Sequence, residues 1–111
     1  MIVWQKAMEL RRQVYAIVRC LPSDERYALG LQLRRAAVSV PSNIAEGQSR
    51  QIRRDFRQYL CMARGSIGEI DTQLEIALEL CPTSKEQVVQ AMRLADEISR
   101  MLTALIRRLT G

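Results

Sequence analysis

The side chains best suited to chemistry in this chain are arginines. Arg50, Arg53, Arg54, Arg57 and Arg64 recur at three-, four- and seven-residue steps, which on a helix gathers them into one arc of about 100°. A guanidinium is permanently charged and presents a planar fork of donors, matched to phosphate and carboxylate. Further along the same arc come Asp71, Glu75 and Glu79. On one helix this stripe runs against the macrodipole, which favours acids at the N-terminus and bases at the C-terminus by ~0.3–1 kcal/mol each. A polyanion, a partner chain or a second subunit would each give the stripe a purpose. The competing reading is a solvated charged face, where such charges contribute little.

Catalytic chemistry has no foothold. There is no histidine, so the commonest general base and metal ligand are missing. Cys20, Cys61 and Cys81 are scattered, without CxxC spacing, and read as small packing residues. The expectation is a protein that is not an enzyme and uses no metal or cofactor. Trp4, Tyr15, Tyr27, Phe56 and Tyr59 are the only aromatics; most lie on apolar faces, which argues against a base-stacking platform. Zinc-finger spacing, an RNP signature and a helix-turn-helix are also missing. Nucleic acid bound here would be held through phosphates at 50–57, with little sequence preference.

The elements that must carry these side chains are helices. Gly and Pro are sparse and sit at breaks: Pro22, Gly47, Pro82. Between them the apolar period is that of a helix throughout. Phe56, Leu60, Ala63, Ile67, Ile70, Leu74, Ala77 and Cys81 alternate four- and three-residue steps. Val88, Ala91, Ala95, Ile98, Leu102, Leu105 and Leu109 repeat the pattern, and Tyr27, Gly30, Leu33, Ala37, Val40 and Ile44 precede it. The first segment, from Trp4 to Leu21, is apolar over a wider arc, as is the fourth through Met92, Leu94, Met101 and Ile106. A monomer's surface helix needs a stripe of little over ~100°, so the surplus suggests self-association. Four such segments in 111 residues, 48% hydrophobic, predict one all-α domain over 1–111, an antiparallel up-down four-helix bundle.

The breaks suggest specific caps. Ser23 reads as an N-cap, Gly47 as a C′ glycine, and Ser49 as the cap of a third helix over roughly 50–80, about 45 Å long. Thr83 with Glu86, or Ser84 with Gln87, reads as a capping box. Pro41 falls inside the second segment, whose apolar phase continues through Val40 and Ile44. A kinked, continuous helix is therefore expected there.

Charge is unevenly spread. The net +5 conceals seven arginines against two acids in 31–64, and four acids without a base in 65–81. Fifteen of the seventeen basic residues are arginine, in keeping with anion recognition. No apolar run is long enough to span a membrane, and the N-terminus lacks a secretory segment. A cytoplasmic protein with no membrane partner is expected.

One segment is distinctive: Leu33-Arg34-Arg35-Ala36-Ala37-Val38-Ser39-Val40-Pro41-Ser42-Asn43-Ile44-Ala45-Glu46-Gly47. Together with Ala63-Arg64-Gly65-Ser66-Ile67-Gly68-Glu69, Thr72-Gln73-Leu74, Trp4-Gln5-Lys6-Ala7 and Glu25-Arg26-Tyr27, it resembles the four-helix-bundle family of proteins encoded in intervening sequences of bacterial 23S rRNA genes. The resemblance covers essentially the whole chain. It implies an up-down bundle with a Pro-kinked second helix and a ring-shaped homo-oligomer, a pentamer above other sizes. A similar fold serves as the accessory protein of diversity-generating retroelements, a basic pentameric barrel that binds nucleic acid and a reverse transcriptase.

These readings assign candidate roles. Arg50, Arg53, Arg54 and Arg57 are the candidate nucleic-acid contacts. Arg34, Arg35, Asn43, Glu46, Arg64, Glu69, Asp71 and Glu75 are candidates for a network within or between subunits. Ser39, Ser42 and Asn43 are expected to satisfy backbone groups freed by Pro41, and Gly65 and Gly68 to permit close helix approach. The function expected is an oligomeric scaffold that binds RNA, DNA or a nucleic-acid enzyme. The alternative is a protein-only adaptor ring whose charges dock subunits and partners.

Overall fold

A computed structural model describes residues 1–110. Helix α1 spans Ile2–Cys20, a single turn α2 spans Ser23–Arg26, and α3 spans Leu29–Gln48. The long α4 covers Arg53–Leu80, a 3-10 turn covers Pro82–Ser84, and α5 covers Lys85–Thr110. The described residues contain no strand. α1 and α4 each pack against both α3 and α5, so the long helices form a square in which α1 and α4 lie on a diagonal. The bundle measures 44 × 22 × 19 Å, its long axis close to the ~42 Å expected of the 28-residue α4.

The four- and three-residue steps become the core. Leu10, Val14 and Ile17 of α1 meet Leu33, Ala37, Val40 and Ile44 of α3. Leu60, Ala63, Ile67, Ile70 and Leu74 of α4 meet Val88, Ala91, Ala95, Ile98 and Leu102 of α5, all of them buried. Burial of each Leu, Ile or Val contributes about 1.5–3 kcal/mol, and the periodicity puts nearly all of them on one side of each helix. Tyr27 is the exception among the seam residues. It is 85% exposed, because the chain makes the separate turn α2 before α3 begins at Leu29. Arg26 anchors that turn, donating to the carbonyls of Leu21 and Arg19, both at 3.1 Å.

Several caps differ from expectation. Ser23 lies inside α2, whose N-cap is Pro22, and makes no capping hydrogen bond. Gly47 is not a left-handed C′ residue; it is buried within α3 and has no positive φ. Its role is steric: a Cβ there would sit 2.8 Å from Tyr59 Cβ and 3.0 Å from Phe56 Cδ1. Ser49 ends α3 rather than starting α4, its hydroxyl donating to Glu46 O at 2.7 Å. α4 therefore starts at Arg53, with Arg50 in the connection. Thr83 and Ser84 form the 3-10 turn and direct their hydroxyls to Cys81 Sγ.

α3 runs through the buried Pro41 as one helix. Proline removes the donor to the carbonyl four residues back, that of Ala37. The neighbouring polar side chains serve the next two carbonyls: Ser42 Oγ donates to Val38 O at 2.8 Å and Asn43 Nδ2 to Ser39 O at 2.9 Å. Asn43 also reaches Ser39 Oγ, which lies 2.7 Å from Ser66 Oγ on α4. The expectation that Ser39, Ser42 and Asn43 satisfy the backbone group freed by Pro41 is not met, since none of them donates to Ala37 O; their hydrogen bonds go to the next two carbonyls and tie α3 to α4. Gly65 and Gly68 do not bring helices of this chain together, since a Cβ at either would meet nothing within 4 Å.

The broad apolar arcs resolve differently. On α5, Ile106 is buried and Met92, Leu94 and Met101 pack partly buried against the core. The bundle itself absorbs that width. On α1, Trp4 remains 36% exposed, on the same side as half-buried Met8 and Tyr15.

Candidate nucleic-acid interface

Antiparallel packing collects arginines that are distant in sequence. α3 ends at Gln48, α4 begins at Arg53 and α5 ends at Thr110, all at one end of the square. Arg53 donates from Nη2 to Arg108 O at 3.2 Å, and Arg57 from Nε to Thr110 Oγ1 at 2.8 Å. These contacts register the end of α5 against the start of α4. Arg50, Arg53, Arg54, Arg57, Arg107 and Arg108 thereby share one end of the molecule, with Glu46 and Asp55 as the nearby acids. The start of α1 lies there too, since Met1, Ile2 and Val3 line an apolar cleft with Leu105 and Arg108.

The arrangement also explains why bases stand at the N-terminus of α4. Measured against α4 alone, they oppose the dipole. Measured against the neighbouring helix, Arg53 and Arg57 sit at the C-terminus of α5, where carbonyls are unpaired and positive charge is favoured. Arg50 follows the C-terminus of α3 in the same way. Its Nη2 pairs with Glu46 at 3.2 Å and donates to Tyr59 OH at 2.8 Å, with its guanidinium 5.0 Å above the Tyr59 ring. The three remaining guanidinium groups, of Arg54, Arg107 and Arg108, make no ion pair or side-chain hydrogen bond among the described residues. All three are exposed and free to meet an anion.

The rest of the sequence-derived set is dispersed. Arg64, about 10 Å along α4 from Arg57, donates to Thr103 Oγ1 of α5 at 3.3 Å. Arg34 and Arg35 lie in a groove with Tyr15, Leu31, Val38 and Ser39, remote from the basic end. Glu69 and Glu75 are exposed on α4. Asp71 is half-buried, and burial followed by the charges of Asp96 and Glu75 holds its carboxyl above the usual aspartate range. No single network unites these residues within one chain: Arg64 and Glu75 are about 16 Å apart along one helix, and Arg34 and Arg35 lie in the groove with Tyr15.

Two features escaped the sequence. Arg107 and Arg108 carried a signal, as basic residues in the last turn of the fourth segment, but only the antiparallel register brings them to Arg54. Arg11, 5.2 Å over the ring of Tyr15, extends the groove of Arg34 and Arg35 along α1. Among the described residues no three His, Cys, Asp or Glu side chains converge as metal ligands would. None of the described helices is long and apolar enough to cross a membrane.

Comparison with known proteins agrees with this architecture. A Bacteroides thetaiotaomicron protein of unknown function from the S23 ribosomal protein family has a similar crystal structure, with a TM-score of 0.85 and 24% identity over 94% of this chain and 97% of that one. At that identity the likeness concerns the fold. No curated protein matches the chain. The profile of the 23S rRNA-intervening sequence proteins matches residues 1–104, and with the helical square and the Pro41 segment in place, the chain belongs to the 23S rRNA-intervening sequence protein family.

Proposed function

We propose that this protein is a non-enzymatic homo-oligomeric scaffold that binds RNA or DNA through the basic end of the bundle. The observation that carries the reading is the convergence of six arginines at that end, with Arg54, Arg107 and Arg108 unengaged by the chain itself. The 23S rRNA in the family's name makes RNA the first polyanion to test. Phosphate-directed binding should weaken steeply with salt, because each neutralised phosphate releases counterions. Replacing Arg54, Arg107 and Arg108 by Gln should lower the log–log salt slope by ~0.9 per lost contact on duplex DNA and ~0.7 on single strands. Fluorescence anisotropy with random-sequence RNA and DNA measures this. Salt-insensitive binding, or no binding at low salt, would sink the nucleic-acid reading.

Self-association is supported by two unlike faces on opposite sides of the square. The α1–α3 face presents Trp4, Met8, Arg11, Tyr15, Leu31, Arg34 and Val38, a mixture of aromatic, methionine and arginine typical of subunit contacts. The α4–α5 face presents Gly65 and Gly68 beside Asp71, Glu75 and Asp96. A head-to-tail contact between them would set arginine against carboxylate and large side chains over glycines. Repeated by a closing rotation, it gives a ring, and five copies is the number we favour. The protein-only adaptor is the second reading. It is favoured by Arg53 and Arg57, which are already occupied by the end of α5.

A further inference from the structure

Where α1 ends and α5 begins, two cysteines from distant parts of the sequence meet. The Cys81 thiol donates to the backbone oxygen of Cys20 at 3.2 Å, and its Sγ lies 3.4 Å from Thr83 Oγ1 and 3.3 Å from Ser84 Oγ. Cys20 is exposed, its thiol 3.9 Å from Gln87 Oε1 in the opening turn of α5. Cys81 Sγ therefore touches the backbone of the last residue of α1, while the Cys20 thiol faces a side chain of α5's opening turn. Cys20 is the last residue of α1 and is followed by the extended Leu21, so its exposed side chain lies at a helix end rather than within a packed seam.

We propose that Cys81 and Cys20 form a peroxide-reactive thiol pair, with Cys81 as the attacking thiolate and Cys20 as the resolving thiol. The Cys81 thiolate attacks one oxygen of hydrogen peroxide; a sulfur–oxygen bond forms, the O–O bond breaks and hydroxide leaves. The Cys20 thiol then attacks the resulting sulfenic sulfur. A disulfide forms, and the sulfenic oxygen leaves as water, taking the thiol proton. Peroxide is reduced and the two thiols are oxidised. The surroundings fit the attacking role. Hydrogen bonds from the Ser84 and Thr83 hydroxyls, with smaller help from their backbone N–H groups, hold the Cys81 thiol below the usual thiol range, outweighing a small opposing effect of burial. The resulting link would tie the end of α1 to the junction of α4 and α5, where no salt bridge otherwise connects them among the described residues.

The full chain supplies its own reference in Cys61, half-buried on α4 and remote from this corner. At neutral pH, iodoacetamide should modify Cys81 several-fold faster than Cys61. Equimolar peroxide should give a linked Cys20–Cys81 peptide on mapping. In Cys20→Ser the same treatment should leave a sulfenic acid at Cys81 that dimedone traps. The double change Thr83→Val with Ser84→Ala should slow Cys81 alkylation several-fold at neutral pH while helical circular dichroism is unchanged. A Cys81 no faster than Cys61, or a peroxide-treated chain without the linked peptide, overturns the proposal.

Discussion

The glycines divide into two kinds that composition treats alike. Gly47 is pressed against Phe56 and Tyr59, so Gly47→Ala forces the start of α4 away from α3. It should destabilise the protein by about 1–3 kcal/mol in urea denaturation. Gly65 and Gly68 face open space, and Ala at either should stabilise an isolated chain by about 0.5–1 kcal/mol through a better helix propensity. Asn43 bridges Ser39, which in turn meets Ser66 across α3 and α4. Asn43→Leu should cost about 1–3 kcal/mol, since it removes two hydrogen bonds to Ser39 in a partly buried site; a thermal midpoint left unchanged would show that water replaces the amide. Asp71 titrates in the opposite sense to a salt-bridged acid. With its folded pKa raised above the ordinary 3.8, its protonated form stabilises the fold at low pH, and that contribution is lost as pH rises through the raised value. Asp71→Asn should therefore raise the urea midpoint at neutral pH and leave it little changed below 3.8. An equal gain at both pH values would remove the charge from the explanation.

At the scale of elements, the stripe on α4 is best understood through α5. Considered alone, α4 gains from losing basic residues near its N-terminus, and removing them should hold or raise stability. Docked against α5, Arg53 and Arg57 serve a carbonyl and a hydroxyl in the last turn of that helix. Arg53→Gln and Arg57→Gln should then each cost about 0.3–1 kcal/mol, with faster amide exchange confined to the last turn of α5. Arg54→Gln, one residue away and unengaged, should leave that turn unaffected. Equal effects from all three substitutions would mean that the patch acts only as a diffuse charge. The same comparison explains Ser49 and Gly47. A serine or glycine between two helical segments marks a boundary, but which helix it serves depends on where the second helix packs.

For the whole molecule, the decisive property is whether copies assemble. Light scattering should give a mass near five times 12.7 kDa, and a concentration-independent monomer would leave the α1–α3 face without a partner. If that face seats on a neighbour's α4–α5 face, Gly65→Ala and Gly68→Ala should reduce the mass even though each stabilises the single chain. Arg34→Glu should loosen the assembly likewise, and Asp71→Lys in the same chain should restore part of it. Mass unaffected by all of these changes would place any interface elsewhere.

Much of this architecture is written in the sequence because helices and their buried faces are local properties. The steps from Phe56 to Ala77 and from Val88 to Leu102 state which side of each helix avoids water, and no tertiary information is needed to read them. The continuity of α3 through Pro41 was legible for the same reason: Val40 and Ile44 keep phase. The basic cluster at 50–57 was legible as a cluster. What it does was not, because its role depends on residues half a chain away: the end of α5 at Arg108 and Thr110, which only the antiparallel register supplies. Tyr27 looked like core until the turn α2 intervened. Cys20 and Cys81 looked like scattered packing residues until the end of α1 came to rest against the start of α5. Helical period is set within a few residues, whereas a shared end, an open glycine or a thiol resting on a distant helix end exists only once the helices have chosen their neighbours.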